Sequence, residues 1–183
     1  MKITLLSLNH EVQWKDPTGD LHRILGELLS NSQIDLIAEE AFGLPTTVAQ
    51  RLACRLDKPW IEIDMSIADR KLAGIHDALM ERRSEPIDPF NNIGSLSLYL
   101  PEEDGVRETE WLRRILKQPV DAVLCLCGFL HVDPFTQKLR AKGCDVEHLN
   151  LTEQEWFRKR YGIYSIVEEH GGRWCEIRHG PPS

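Results

Sequence analysis

Short runs of apolar residues alternate along this chain with longer stretches in which apolar side chains recur every three or four positions. The first pattern predicts buried β-strands, and the second predicts amphipathic helices. Strands are predicted at 2–8, 34–38, 60–63, 120–127 and 145–149, and helices at 20–30, 45–56, 66–83, 107–117, 134–142 and 152–160. Because strands and helices alternate, we expect an α/β fold with a mainly parallel central sheet flanked by helices.

Two segments depart from this alternation. Apolar runs at 164–167 and 174–177 flank a pair of glycines, which predicts a C-terminal antiparallel hairpin. Residues 84–103 are rich in proline and asparagine and predict an irregular excursion, for which a lid and a plain surface loop are both open readings. The length of 183 residues indicates a single α/β domain over 1–183.

Composition narrows the range of partners. The formal net charge of −7 argues against binding to nucleic acid or to an anionic membrane surface. No apolar stretch reaches the length of about 18 residues that spans a bilayer, and the first residues lack the pattern of a cleaved signal peptide. We therefore expect a soluble, cytoplasmic protein that acts on a small molecule or a peptide.

Residues able to perform chemistry follow several of the predicted strands. His10 follows the first strand, Glu39 and Glu40 follow the second, Asp64 follows the third, and His131 follows the strand that ends near residue 127. Open α/β sheets bind ligands at the carboxyl ends of their strands. If these strands are neighbours, imidazole and carboxylate groups meet and suit a divalent transition metal. Alternatively, the histidines are polar loop residues, and the glutamates cap a helix or pair with surface arginines.

Two further residues are candidates for roles at such a site. Arg107 opens a predicted helix, from which its guanidinium could orient Glu39 or Glu40 or clamp an anionic group of a substrate. An exposed helix arginine is the competing interpretation. Cys127 lies just ahead of His131 and is a weaker candidate, as a thiol nucleophile, because proximity in sequence does not establish a Cys-His pair.

The motifs together resemble the superfamily of TraB/PrgY, Tiki, GumN, ChaN and erythromycin esterase proteins. The matching positions are His10 after strand one, the acid pair Glu39 and Glu40, the helix led by Arg107, and Gly128-x-x-His131 followed by a helix, a glycine and a short strand. The match covers most of residues 2–149. It departs from the family at Ser7, where a glycine is usual.

The resemblance implies a metal-dependent, hydrolase-like site that acts on a small ester, amide or peptide bond. The candidate residues are His10, Glu39 and His131 as metal ligands, Glu39, Glu40 and Arg107 as catalytic groups, and Asp64, Arg107 and Gly128 as substrate contacts. The implied cofactor is a divalent ion such as manganese, cobalt or zinc. The alternative is a non-catalytic binding or sensor domain that uses the same pocket for a small anionic ligand or a protein partner.

Overall fold

The computed structural model describes residues 1–31, 33–41, 43–77, 98–169 and 172–178, in which strands and helices alternate. The strands are β1 (Lys2–Leu8), β2 (Leu36–Glu39), β3 (Trp60–Glu62), β4 (Leu98–Tyr99), β5 (Ala122–Gly128), β6 (Asp145–Asn150), β7 (Ile163–Glu169) and β8 (Gly172–Arg178). The α-helices are α1 (His10–Trp14), α2 (Asp20–Asn31), α3 (Val48–Arg55), α4 (Ile67–Leu72), α5 (Pro101–Leu116), α6 (Val132–Ala141) and α7 (Glu155–Tyr161).

Five strands form the central sheet in the order β3-β2-β5-β1-β6, and every neighbouring pair is parallel. Because β2, β5 and β1 are adjacent, their carboxyl ends meet at one edge of the sheet. The expected α/β fold with a parallel sheet between helices is confirmed. The three strands that precede His10, Glu40 and His131 are neighbours, as the prediction of a shared site requires.

The antiparallel C-terminal pair expected from the sequence is not part of the central sheet, which is parallel throughout. Strands β7 and β8 run antiparallel to each other in a separate sheet with the order β4-β8-β7. In that sheet β8 also pairs with β4, where Leu98 is opposite Trp174. A strand from the middle of the chain therefore completes this second sheet.

The segment predicted to be irregular, 84–103, falls outside the described residues as far as position 97. Its last part is regular, because β4 is followed at once by α5, which begins at Pro101. Proline suits the first position of a helix, since it has no N–H to leave unpaired there, and the acids of the first turn suit the positive end of the helix dipole. The prediction that this helix begins at Arg107 is therefore wrong.

The sequence predicts Asp133 as the cap of the helix at 134–142 and a capping box that starts at Thr152 for the helix at 152–160, and both predictions are wrong. Helix α6 begins at Val132, so Asp133 lies inside its first turn, and the capping position belongs to His131. Helix α7 is preceded by Gln154 rather than by a capping box that starts at Thr152. A capping box does occur at α4, where Ser66 and Asp69 accept hydrogen bonds from each other's backbone N–H groups.

Both faces of the central sheet are buried under helices. Successive side chains of each strand point to opposite sides, so each strand contributes to the core on both faces. One face packs Leu36 and Ala38 with Trp111 of α5 and Phe135 of α6. The opposite face packs Ile37 and its neighbours against helices α2, α3 and α7. No helix within the described ranges combines the length and the apolar character needed to cross a membrane.

Candidate functional site

The end of β5 delivers His131 to the edge of the sheet. The strand stops at Gly128 and continues into a short 3-10 helix, Phe129–His131. The His131 ring is 7% exposed and meets Trp111 edge-on, with ring centroids 4.8 Å apart, and Tyr99 at 5.4 Å. His131 is therefore part of a packed wall as well as a polar group at the strand end.

His10 enters the same region from the end of β1. The side chain of Asn9 accepts a hydrogen bond from the backbone N–H of Val12 and so starts the short helix α1 at His10. The His10 side chain is about half exposed, and its Nε2 atom lies 3.6 Å from Oε1 of Glu40. Nε2 of His131 lies 3.7 Å from the same oxygen. Both imidazoles thus converge on one carboxylate.

The carboxylate between the histidines belongs to Glu40, whereas the sequence prediction assigned this place to Glu39. Glu40 shares the side of the sheet that carries Leu36 and Ala38, and Glu39 points to the other side. Glu39 accepts hydrogen bonds there from Thr47 Oγ1 at 2.6 Å and Trp60 Nε1 at 2.9 Å. The prediction that Glu39 is a ligand beside His10 and His131 is thus not supported by the geometry.

Arg107 lies at the centre of three buried carboxylates. We call these four residues the Arg107 cluster: Glu40, Asp64, Asp104 and Arg107. Its Nη2 donates to Glu40 Oε1 at 2.6 Å and to Asp64 Oδ2 at 2.9 Å, and its Nε donates to Asp64 Oδ1 at 3.0 Å. Its Nη1 donates to Asp104 Oδ1 at 2.8 Å and lies 3.4 Å from His131 Nε2. With its N–H groups directed in this way, Arg107 orients Glu40 and is not free to clamp a substrate.

Asp64 is also committed to contacts inside the protein. It accepts hydrogen bonds from Arg70 Nη2 at 2.6 Å and from Trp111 Nε1 at 3.1 Å, besides those from Arg107. Its side chain is 4% exposed. Asp64 therefore supports the Arg107 cluster, and its burial does not support the predicted role of a substrate contact.

Each of the two histidines has a second partner that fixes its ring. Nδ1 of His131 lies 3.0 Å from Glu108 Oε1, and Nδ1 of His10 lies 2.6 Å from Gln13 Oε1. A carboxylate oxygen and an amide oxygen are acceptors, so each Nδ1 carries the proton. In the neutral form of either ring, the lone pair is then on Nε2, the atom that faces Glu40.

Burial and charge act against each other on these groups. For Glu40, burial would raise the pKa, but His10, His131 and Arg107 outweigh it and lower that pKa. For His131, burial would lower the pKa, but Glu40 and the bond to Glu108 raise it. For Glu39, burial dominates over its hydrogen bonds and raises the pKa.

Buried carboxylates are concentrated near Arg107. Glu40, Asp64, Asp104 and Glu108 are carboxylates, and Arg70 and Arg107 are the buried guanidinium groups beside them. Lys138 approaches from the edge, with its Nζ 4.0 Å from Glu108 Oε2, an oxygen that lacks a hydrogen-bond partner. Buried carboxylates require positive charge nearby, to which protonated His10 and His131 or a bound cation would add.

Gly128 leaves the space between the histidines open. Its N–H donates to Glu40 Oε2 at 2.8 Å. A methyl group at this position would lie 3.4 Å from Glu40 Oε2, 3.5 Å from His10 Nε2 and 3.5 Å from His131 Cδ2. Those are ordinary contact distances, so alanine would fit here without a clash and would fill the space that the three side chains surround.

As placed, the described residues include no group of three or more His, Cys, Asp and Glu side chains that could hold a metal ion.

Cys127 is fully buried, and burial raises the pKa of its thiol well above the ordinary value. A thiol nucleophile needs an accessible thiolate. The sequence-based hypothesis of a Cys127 nucleophile is therefore wrong.

Sequence reasoning missed Gln13, and it gave no role at the site to Asp104, Glu108 and Trp111, of which only Trp111 was noticed, as a position of the helix motif led by Arg107. Those three share one face of α5 with Arg107, at positions 104, 107, 108 and 111. This is the three-and-four spacing of a buried helix face, but three of its four members are charged, so a search for apolar periodicity passes over it. Gln13 carried no signal beyond its place three residues after His10, one helical turn away.

Searches of protein-family models, curated proteins and solved structures return no match to this chain.

Proposed function

We propose that this protein is a metal-assisted hydrolase whose ion is held by His10, Glu40 and His131. The observation that carries the proposal is the convergence of two Nε2 atoms on one carboxylate oxygen, at 3.6 and 3.7 Å. With both Nδ1 atoms committed elsewhere, each neutral ring presents its Nε2 lone pair beside Glu40 Oε1, an oxygen that also accepts from Arg107 Nη2. These lone pairs and the carboxylate would suit a cation shared by the three side chains.

The donor set fits a divalent transition metal. Imidazole nitrogen and carboxylate oxygen are its usual protein ligands, and a second hydrogen bond at the far ring nitrogen is the usual support of a metal-binding histidine. Glu108 and Gln13 provide that support. His10 Nε2 and His131 Nε2 would hold such an ion together with Glu40 Oε1, from which they lie 3.6 and 3.7 Å.

When bound, such an ion would act as a Lewis acid that polarises a substrate carbonyl and lowers the pKa of water. The protein's own residues orient and shield the site. Arg107 and the Gly128 N–H hold the two oxygens of Glu40, and Trp111 and Tyr99 hold the His131 ring. His10 is the half-exposed member, so an ester, amide or peptide substrate approaches from its side.

The motif resemblance described above supports the same proposal. Four of the positions that carry it, namely His10, Glu40, Arg107 and His131, converge in space although they are far apart in sequence. We accordingly propose that the chain is a divergent member of the TraB/PrgY, Tiki, GumN, ChaN and erythromycin esterase superfamily. At the position where a glycine is usual in that superfamily, Ser7 Oγ donates a hydrogen bond to Asn150 Oδ1 and lies 3.0 Å from His148 Nε2.

A cation-binding domain without turnover is the second candidate function. It is favoured by the hydrogen bonds of Glu39 and Glu40, both of which accept from buried donors, so that neither is free to act as a general base. An anionic ligand is disfavoured, because among the residues that the structure describes carboxylates outnumber guanidinium groups around Arg107.

Metal analysis of protein purified without chelator tests the proposal. After incubation with Mn²⁺, Co²⁺ or Zn²⁺ and removal of the excess, we expect one ion per chain in the wild type. His10→Ala should lose it, whereas His22→Ala should retain it, since His22 is an exposed helix residue beside Arg55. A wild type without bound ion, or equal loss in both variants, contradicts the proposed site.

Turnover separates the two candidates once an ion is bound. The loaded protein is compared with the His10→Ala variant on a panel of aryl esters, lactones and short peptides. Hydrolysis that requires both the ion and His10 supports the hydrolase. An ion bound with no hydrolysis above the level of the variant supports the binding domain instead.

A further inference from the structure

Gln13 is a buried amide that joins the two faces of the site. Gln13 is 1% exposed, and its Oε1 atom lies 2.6 Å from His10 Nδ1. Nε2 donates in the opposite direction, to Glu39 Oε1 at 3.1 Å and to the backbone carbonyl of Glu40 at 3.0 Å. Every polar atom of the amide is thus engaged, and Gln13 connects Glu39 to His10.

The partners of Gln13 dictate which way its amide points. Nε2 has two N–H groups, and the two atoms opposite it are both oxygen acceptors. A reversed amide would direct its oxygen at those two oxygens and lose both bonds. The carbonyl of Gln13 therefore faces His10, and only a protonated Nδ1 can bond to it.

Glu39 is in turn held as an acceptor. Thr47 Oγ1 and Trp60 Nε1 both donate to its Oε2, at 2.6 and 2.9 Å. Thr47 is also the N-cap of α3, where its hydroxyl oxygen accepts from the Gln50 N–H, so the Thr47 proton is directed at Glu39. The other oxygen, Oε1, is left to face Gln13.

We propose that Glu39 and Gln13 are positioning residues that set the tautomer of His10. In this relay Glu39 orients the Gln13 amide, the amide holds the proton on His10 Nδ1, and the lone pair is left on Nε2 toward Glu40. The role in ion binding rests on the function proposed above, whereas the control of the tautomer does not. Glu39 thus serves the site from the opposite side of the sheet, without contact with the ion or the substrate.

Nitrogen NMR of the metal-free protein tests the relay directly. Histidine labelled with ¹⁵N is observed at an alkaline pH above which the His10 signals no longer change, so that the neutral ring is measured, and His10 is assigned by comparison with His10→Asn. In the wild type we expect the tautomer with hydrogen on Nδ1. In Gln13→Leu the imposed preference should disappear. Gln118→Leu, a glutamine at the end of α5, is the matched control and should leave the His10 signals unchanged.

Glu39→Gln gives the sharper result. Thr47 and Trp60 keep the oxygen of the new amide, so its NH₂ group faces the NH₂ group of Gln13. The variant thus weakens the preference of Gln13 for its present orientation, which the Glu40 carbonyl alone then favours, and the fraction of His10 with hydrogen on Nε2 should rise. An unchanged His10 tautomer in both Gln13→Leu and Glu39→Gln, with the fold intact by circular dichroism, overturns the proposal.

Ion affinity provides the second measurement. Loss of a partner that orients a metal ligand typically weakens binding by 10- to 100-fold. We expect Gln13→Leu to weaken Mn²⁺ or Zn²⁺ binding by about tenfold or more, and Gln118→Leu to leave it unchanged. If the wild type binds no ion but the tautomer shifts as described, the proposed function fails and the relay remains. If ions bind equally well to wild type and Gln13→Leu, the role of the relay in binding is refuted.

Discussion

At the scale of single residues, Arg107 illustrates how a charged side chain becomes part of the interior. A guanidinium has five N–H donors in a planar fork, and here they reach three carboxylates that come from different parts of the chain. Removing one member of such a network leaves buried charge unpaired, which is far more costly than the net value of the network. Arg107 therefore resembles a core residue in its energetics.

The first prediction is that Arg107→Lys destabilises the protein. Lysine keeps the charge but cannot reach Glu40, Asp64 and Asp104 together, so we expect the free energy of unfolding to fall by about 2 kcal/mol or more. Urea denaturation at neutral pH measures it. Arg113→Lys is the control on the same helix, since Arg113 is half exposed and pairs with Glu110. Similar losses in the two variants would show that Arg107 does not have this role.

Sequence inspection found most residues of the site but not their roles. His10, Glu40, Arg107 and His131 were recognisable because they follow strands or lie in a familiar motif. The different roles of Glu39 and Glu40 were not recognisable from the sequence, because they depend on which side of β2 each residue faces. The strand is buried on both sides, so its apolar pattern contains no alternation that would tell them apart.

At the scale of secondary structure, helix α5 and strand β3 are tied together through Asp64. Asp64 follows β3, and three side chains of α5 reach it: Arg107 and Trp111 through its carboxylate, and Arg114 through its backbone carbonyl at 2.7 Å. Because β3 is an edge strand of the central sheet, these bonds anchor that edge to the helix layer.

The pH dependence of stability should report this link. Burial would raise the pKa of Asp64, but the guanidinium groups of Arg107 and Arg70 prevail and hold it at about 2. A carboxyl with a lowered pKa stabilises the fold above its unfolded value near 4, and this contribution is lost as the pH falls toward 2. The second prediction is that Asp64→Asn is less stable than wild type at pH 7 and that the difference narrows between about pH 4 and pH 2.

Urea denaturation at a series of pH values measures this difference, with Asp145→Asn as the control. Asp145 is exposed at the start of β6, so its replacement should shift stability little at any pH. A constant gap between wild type and Asp64→Asn across the acid range would mean that Asp64 is not held ionised by its arginines.

Element boundaries show where local patterns mislead. The segment before Arg107 contains a proline, three acids and a glycine and was expected to be a loop, yet it forms the first turns of α5. Proline and acids favour a helix start, and tertiary packing outweighs the low helix propensity of a single glycine. The strands of the central sheet were predicted to within about two residues, because a buried parallel strand has few alternatives for a short apolar run.

At the scale of the whole molecule, the site is a concentration of negative charge inside a protein whose net charge is already −7. Any cation that binds there is attracted both by the local carboxylates and by the field of the whole protein. Binding to the folded state but not to the unfolded chain must then raise stability.

The third prediction is that a divalent ion raises the melting temperature and that Gly128→Ala abolishes the rise. At a free ion concentration about 100-fold above the dissociation constant, the gain is about 2.7 kcal/mol, or roughly 5 to 10 °C. The alanine methyl occupies the space among His10, Glu40 and His131 without a clash, so the melting temperature without ion should change little. Calorimetry with Mn²⁺ or Zn²⁺ and with chelator makes the comparison, and an equal rise in Gly128→Ala would contradict the site.

The position of β1 in the sheet also affects how the protein is made. This strand lies between β5 and β6, and its partners begin only at Ala122 and Asp145. On the ribosome, Lys2–Leu8 emerges well before either partner and has to wait, with its apolar side chains uncovered, until β5 and β6 have been synthesised. We therefore expect slow folding after synthesis and a nascent chain that depends on chaperones, because both neighbours of this strand are distant in sequence.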